Sequence, residues 1–347
     1  MSQMVADAAI DSLGMREHIL GRPERVLRIL DAIGEVEGLP SHESVANVVI
    51  LGIGEAALAG DLVSAVAGPF MAVPVLVHRG ADLPSFVGPD TLVVVLSASG
   101  GSDETIIAAE AAFESGASML AITRIDGRLA ELAASWRIPL VGLPVDVATR
   151  LALTPLVVAA LVALEQIGLY PGARQWIASA AVQLARRRDQ VGGADDVVRG
   201  IARTVGRTMP VIYGAGPVGA VAALRWKQQF NLSAKIPAFF NSVPELCHNE
   251  IAGWGQHGDV TRQVFTRIDL RHDDEHPHDH ERFERVADLT LEVVADVVRV
   301  DAAGEGTLAQ LVDLVFIGDL VAVELALAEG VDPGPTPAVD AVRAAIG

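Results

Sequence analysis

The sequence predicts an α/β protein made of two doubly wound parallel sheets with helices on both faces. Short, continuously apolar runs such as 92–96 alternate with helix-length segments, as strands buried on both faces do. One such run in each half leads into a Gly-x-Gly turn, Gly52-Ile53-Gly54 and Gly214-Ala215-Gly216, and then into a helical stretch. The chain is 51% apolar but 4% aromatic, a composition that suits helices packed closely on sheets.

Residues 1–40 place apolar side chains at three- and four-residue spacing, as amphipathic helices do, and end at Pro40-Ser41. Strands are expected at 45–51, 73–77, 92–96, 119–123 and 138–143, with helices at 58–66, from 103 onward and at 127–135. A long helix at 148–168 runs to Tyr170-Pro171-Gly172, which marks a boundary between an N-terminal domain, 1–170, and a C-terminal domain, 171–347. Helices follow at 174–190 and 195–206. The alternation then restarts with strand 211–213, helix 217–230, strands 236–240 and 264–270, helix 281–289, strand 294–300 and helix 306–329. The two halves read as copies of one α/β unit that share little residue identity.

At 347 residues the chain has room for two ordinary domains. Its formal charge of −18 repels nucleic acid and anionic membrane, and no basic stripe overrides it. Any anion site must therefore be built locally from N–H groups, hydroxyls and a few cations. The single cysteine, Cys247, allows no disulfide within the chain and fits a reducing cytoplasm. The first twenty residues lack the pattern of a signal peptide. The apolar stretch 151–164 has 14 residues and is interrupted by Pro155, short of the ~20 a bilayer needs.

In open parallel sheets ligands bind at the carboxyl ends of strands, near the switch point. Three candidate elements sit at such ends. The first is Ser97-Ala98-Ser99-Gly100-Gly101-Ser102, between a strand and a helix. Its glycines free the backbone to turn N–H groups inward, its hydroxyls donate, and the helix start favours an anion. The same residues also read as a plain Ser/Gly turn, with Ser102 capping the helix through Thr105. The second is Gly52–Gly54. The third, Gly214-Ala215-Gly216-Pro217-Val218-Gly219, satisfies the dinucleotide fingerprint. The next strand ends in Asn241-Ser242, without the ribose-binding acid that the fingerprint wants, so no cofactor is expected. A run of four histidines and five acids, 272–281, invites a metal; because it contains Pro277 and opens a helix, a solvated acidic loop is the expectation. Cys247 beside His248 lacks the surroundings of a thiol nucleophile.

Segments 225–235 and 244–254 read Arg-Trp-Lys-Gln-Gln-Phe-Asn-Leu-Ser-Ala-Lys and Pro-Glu-Leu-Cys-His-Asn-Glu-Ile-Ala-Gly-Trp. They resemble the active-site half of bifunctional phosphoglucose/phosphomannose isomerases, and the resemblance runs from about residue 15 to the end of the chain. It implies two sugar-isomerase-type, flavodoxin-like domains. It implies that Ser97, Ser99 and Ser102 hold a sugar phosphate, since the family carries Ser-x-Ser-Gly-x-Thr-x-Glu-Thr there. Gly54 and Ala56 match the family's first loop, with Ala56 in place of a serine and Glu55 in place of a glycine. His248 matches the residue that assists ring opening, and the resemblance implies a homodimer in which it reaches the partner's site. Arg150 matches an arginine that stabilises the negatively charged intermediate, or is simply a solvated arginine at a helix start. Arg343 stands where the family has a lysine.

The family's catalytic base is a glutamate within Asn-Glu-Asn-Ala-Lys. Here the segment is Asn231-Leu232-Ser233-Ala234-Lys235, and Leu232 cannot accept a proton. Three functions stay open: an isomerase of glucose, mannose or fructose 6-phosphate that uses another acid such as Glu245 or Glu250; a silent binder of a phosphosugar or nucleotide sugar; and a dinucleotide enzyme.

Overall fold

The computed structural model describes residues 10–143, 148–193 and 196–345. The first nine residues of the expected helical stretch 1–40 and the expected helix start at residue 195 lie outside the described residues. Two compact units emerge, Arg22–Ala181 and Met1–Gly21 with Val182–Gly347. The division falls inside a helix, Ala173–Arg188, rather than at the Tyr170-Pro171-Gly172 turn.

Helix α1 (Met15–Leu20) goes with the C-terminal unit, where Met15 and Ile19 are buried and Arg16 Nε donates to Glu324 Oε1 at 2.6 Å. The other unit begins with α2 (Arg22–Ala32) and continues through β1 (Asn47–Leu51), α3 (Glu55–Ala67), β2 (Val75–His78), β3 (Thr91–Ser97), α4 (Asp103–Glu114), β4 (Ser118–Arg124), α5 (Arg128–Trp136), β5 (Leu140–Leu143) and α6 (Leu153–Ile167). Helix α7 (Ala173–Arg188) spans the division. The five strands pair in parallel in the order β2-β1-β3-β4-β5. Every residue of β3 is buried, as its continuous apolar run requires. Val49, Val93, Val95 and Met119 pack with Ile106, Ala109 and Leu129 to form one core. Pro155 does not break α6 because it lies in the first turn, where its missing N–H has no intrahelical partner.

The C-terminal unit continues with α8 (Val197–Val205), β6 (Met209–Ala215), α9 (Gly216–Gln229), β7 (Phe239–Val243), α10 (Gly258–Val264), β8 (Phe265–Arg271), α11 (Pro277–Thr290), β9 (Asp296–Asp301), α12 (Thr307–Ala328) and α13 (Pro337–Ala344). Its strands pair in parallel in the order β7-β6-β8-β9. This repeats the order of the first four strands of the other sheet, so the duplication read from the Gly-x-Gly turns holds at the level of topology. Helix α8 starts from Asp196, whose carboxylate accepts from the N–H groups of Val198 and Arg199. Among the described residues no helix is long and apolar enough to cross a membrane.

Strand β7 lies three residues later than the expected 236–240. Pro237 cannot join a ladder, so pairing with β6 begins at Phe239 and continues through Asn241 and Ser242 to Val243. Asn241-Ser242 is therefore inside the strand and not its end. Helices α10 and α13 were not expected; both are short, and none of their residues is buried.

Candidate functional site

The serine loop and the first glycine loop leave the carboxyl ends of β3 and β1, which are neighbours in the sheet. The chain turns one way from β1 to β2 and the other way to β3, so this is the switch point. Ser97 is buried, and its Oγ accepts from the Gly100 N–H at 3.0 Å, which leaves its own proton to donate. Ser99 Oγ accepts from the Gly101 N–H at 3.3 Å and is otherwise exposed. Ser102 occupies the N-cap position of α4 but makes no side-chain cap bond, so the plain-turn reading of this residue is not what forms. Its hydroxyl and the first N–H groups of α4 are not spent on each other.

Gly100 decides the loop's shape. It has φ +71°, and a Cβ there would lie 2.8 Å from Gly127 Cα and 3.0 Å from Thr123 Oγ1. Its carbonyl accepts from the Leu129 N–H at 2.8 Å, tying the loop to the start of α5. Gly100→Ala is expected to cost about 2–5 kcal/mol, the sum of left-handed strain and overpacking. A urea midpoint within error of the parent's would show the loop to be freer than this. Thr105 and Thr123 flank the loop with buried hydroxyls that find no partner among the described residues. Thr123 and Gly127 were not anticipated, because a contact between consecutive βα loops leaves no local signal.

The Gly52–Gly54 turn is equally tight. A Cβ on Gly52 would press on the Ala56 backbone at 3.1 Å, and Gly54 begins α3 at φ +61°. Ala56 is buried, and Glu55 is half-buried on the first turn of α3. Arg150 belongs to the same unit and sits half-buried on the short turn Thr149–Leu151 before α6.

Leu232, His248 and Arg343 belong to the C-terminal unit. Leu232 lies on a π-helical turn, Phe230–Ala234, that extends α9. Such turns concentrate at functional sites. This one is held tightly: Asn231 Nδ2 donates to Ile236 O at 2.9 Å, and Lys235, at φ +60°, donates to Leu232 O and to Pro335 O. Leu232 is half-buried. The turn that carries Leu232 is thus held from both sides, and its side chain is apolar.

Arg225 and Trp226, from the segment that carries the resemblance, have structural work. Arg225 and Asp319 form a buried bidentate pair at 2.7 and 3.1 Å. Trp226 Nε1 donates to Leu314 O at 2.8 Å, and a Cβ on Gly318 would collide with its indole at 2.4 Å. Gly318-Asp319 and Arg225-Trp226 are therefore two halves of one packing motif between α9 and α12.

His248 ends a short turn, Glu245–His248, whose Leu246 is buried; the imidazole is exposed and makes no hydrogen bond among the described residues. Glu250 fixes the far side of this loop. Its carboxylate accepts from the buried Tyr213 hydroxyl and, at 2.8 Å, from Asn241 Nδ2, while Trp254 Nε1 donates to Tyr213 at 3.1 Å. Burial and the Glu250 carboxylate push the Tyr213 phenol up, so it stays a donor. Both Glu250 oxygens are thus engaged in holding the loop. Glu245 is exposed and accepts from Asn249 at 3.3 Å. Burial raises the Cys247 thiol, the wrong direction for a nucleophile. Arg343 is exposed in the last turn of α13.

The third glycine turn has a packing role. A Cβ on Gly214 would fall 2.1 Å from Gly219 O, so this pair exists to let α9 approach β6. The His272 ring bonds the Ala215 carbonyl at the mouth of the turn, at 3.0 Å. The histidine run disperses: His272 turns in, His276 caps α11, and His280 meets Arg271. Among the described residues no three His, Cys, Asp or Glu side chains gather to hold a metal.

A family model described as the bacterial phospho-glucose isomerase C-terminal SIS domain matches residues 195–346. A bifunctional phosphoglucose/phosphomannose isomerase of Thermoplasma volcanium is 30% identical over 300 residues, covering 86% of this chain and 90% of that protein. One of Caldicellulosiruptor bescii is 28% identical over 333 residues, covering 95% and 98%. In fold, the C-terminal domain of glucosamine-fructose-6-phosphate aminotransferase from Francisella tularensis superposes with a TM-score of 0.64 at 18% identity, covering 92% of this chain and 96% of that one.

Proposed function

We propose, since this chain belongs to the bifunctional phosphoglucose/phosphomannose isomerase family, that it binds a sugar phosphate of the glucose, mannose or fructose 6-phosphate class and is built for aldose–ketose isomerisation. The serine loop carries this reading. It offers three hydroxyls and an uncapped helix start at the carboxyl end of β3, a local anion cradle on a chain of charge −18.

Isomerisation moves a proton between C1 and C2 through an enediol. It needs a base at those carbons, a cation for the developing oxyanion and a group that opens the ring. Arg150 and Arg343 are the proposed cations, and His248 the ring-opening group, exposed and free to meet a ligand. We assign His248 to the partner's site in a homodimer. Supporting this, Phe239 of β7, the strand that leads into the His248 turn, is 52% exposed, apolar surface of the kind a second copy would cover. A cytoplasmic location belongs to the same proposal and rests on the lone cysteine.

Leu232 favours a second reading, in which the protein binds its phosphosugar without turning it over. Fructose 6-phosphate in D2O separates the two. Deuterium entering C2 of glucose and mannose 6-phosphates, and lost in His248→Ala, means a working isomerase. Saturable binding without incorporation means a silent one. The absence of any binding would sink both. Ser99→Ala and Ser102→Ala are each expected to weaken fructose 6-phosphate about 10- to 100-fold by calorimetry, the worth of one hydrogen bond to a charged group. An unchanged affinity in both would remove the loop from the site.

A further inference from the structure

We propose that the C-terminal unit holds a binding site of its own, at the carboxyl ends of β8 and β9, for an uncharged polyhydroxylated molecule the size of one monosaccharide. A cavity of about 380 Å³ opens there, at the small end of the ~300–1,000 Å³ range of ligand pockets. β8 lies beside β6 as β3 lies beside β1, so the loop 272–276 occupies the place that the serine loop has in the other sheet. Open sheets take ligands at this edge.

The chemistry of the walls differs from that of the serine loop. Arg271 is buried, pairs with Glu275 through bonds of 2.9 and 2.7 Å and stacks on Phe283 at 4.2 Å. Arg299 pairs with Asp301 at 2.7 Å. Each guanidinium already faces a carboxylate, and Asp273 adds another, so a phosphate finds no net positive charge.

Two imidazoles have their protons placed by their partners. His272 Nε2 faces a carbonyl oxygen, which only accepts, so in the neutral ring Nε2 carries the proton and Nδ1 is a bare acceptor. That Nδ1 is buried and finds no donor among the described residues. His280 Nδ1 lies 2.7 Å from Arg271 Nη2, which only donates, so His280 presents Nε2–H as a donor. His280 thus brings a donor, and Asp273 and Asp301 bring carboxylate acceptors, to the lining of one small cavity, while the His272 acceptor lies beneath its surface. Hydroxyl groups, which both donate and accept, can satisfy the two kinds together.

The site stands independently of the serine loop, and its test does not need turnover. Protein labelled with 15N at histidine is titrated with glucose, mannose, fructose and, separately, inorganic phosphate. At least one neutral hexose is expected to move the His272 and His280 ring signals saturably. Asp301→Ala and His280→Ala, both at exposed positions, are each expected to weaken that hexose about tenfold or more. Fructose 6-phosphate binding, followed by 31P line width, stays unchanged in both. Three results would overturn the site: no saturable shift with any hexose, a shift that survives both substitutions, or a shift produced by phosphate.

Discussion

Replacing Leu232 with glutamate is expected to raise deuterium incorporation at C2 by about 10²–10⁴-fold, the usual contribution of a positioned general base. The backbone that would aim the new carboxylate is already in place. Asn231 and Lys235 pin the π-helical turn on either side of position 232, through Ile236 O and Pro335 O. Leu232 is half-buried, so a glutamate there keeps access to water and needs no core rearrangement. Leu232→Gln is the control, since it matches glutamate in shape but cannot accept the proton as a carboxylate does. A gain in Glu and none in Gln assigns the lost function to the base. Equal rates in parent, Glu and Gln, with fructose 6-phosphate still bound, would show that position 232 is not where the proton is taken. Glu250, one of the other acids proposed as base, accepts from Tyr213 and Asn241 through its two oxygens.

Arg225→Ala is expected to lower stability by about 3–5 kcal/mol, the cost of taking the cation away from a buried carboxylate. Arg225 and Asp319 are 3% and 1% exposed, so solvent cannot take over the missing partner. Asp319→Ala should cost as much for the mirror reason. Arg225→Met combined with Asp319→Leu should recover most of the loss, since an apolar pair of similar volume carries no desolvation debt. Urea midpoints at equal m-values give the comparison. An Arg225→Ala unfolding free energy within about 1 kcal/mol of the parent's would mean that the pair does not hold α9 to α12.

Strand periodicity, the Gly-x-Gly turns and the serine loop were legible because each is local: a run of apolar residues, a φ that glycine permits, a hydroxyl cluster before a helix. Pattern also placed Leu232 in its frame, since Asn231, Ala234 and Lys235 surround it. Other features depend on residues far apart in the chain. The collision that forbids a side chain at Gly100 comes from Gly127, and Gly318 is glycine because of Trp226. Glu250 meets Tyr213 of β6 and Asn241 of β7 only once the chain has folded. Strand β7 shifted because Pro237 removes a donor, which matters only once a neighbouring strand exists to receive it.

By itself, then, the sequence determined the α/β class, the duplicated order of strands and helices, and the family. Each follows from spacing and residue type along the chain. Tertiary structure alone decided which polar groups are spent and which remain available. Ser102 does not cap its helix, Arg225 is consumed by Asp319, and His272 Nδ1 is left waiting for a donor. The reason is physical: a hydrogen bond or an ion pair is fixed by distance and burial, and both are set by segments that meet only after the chain has folded.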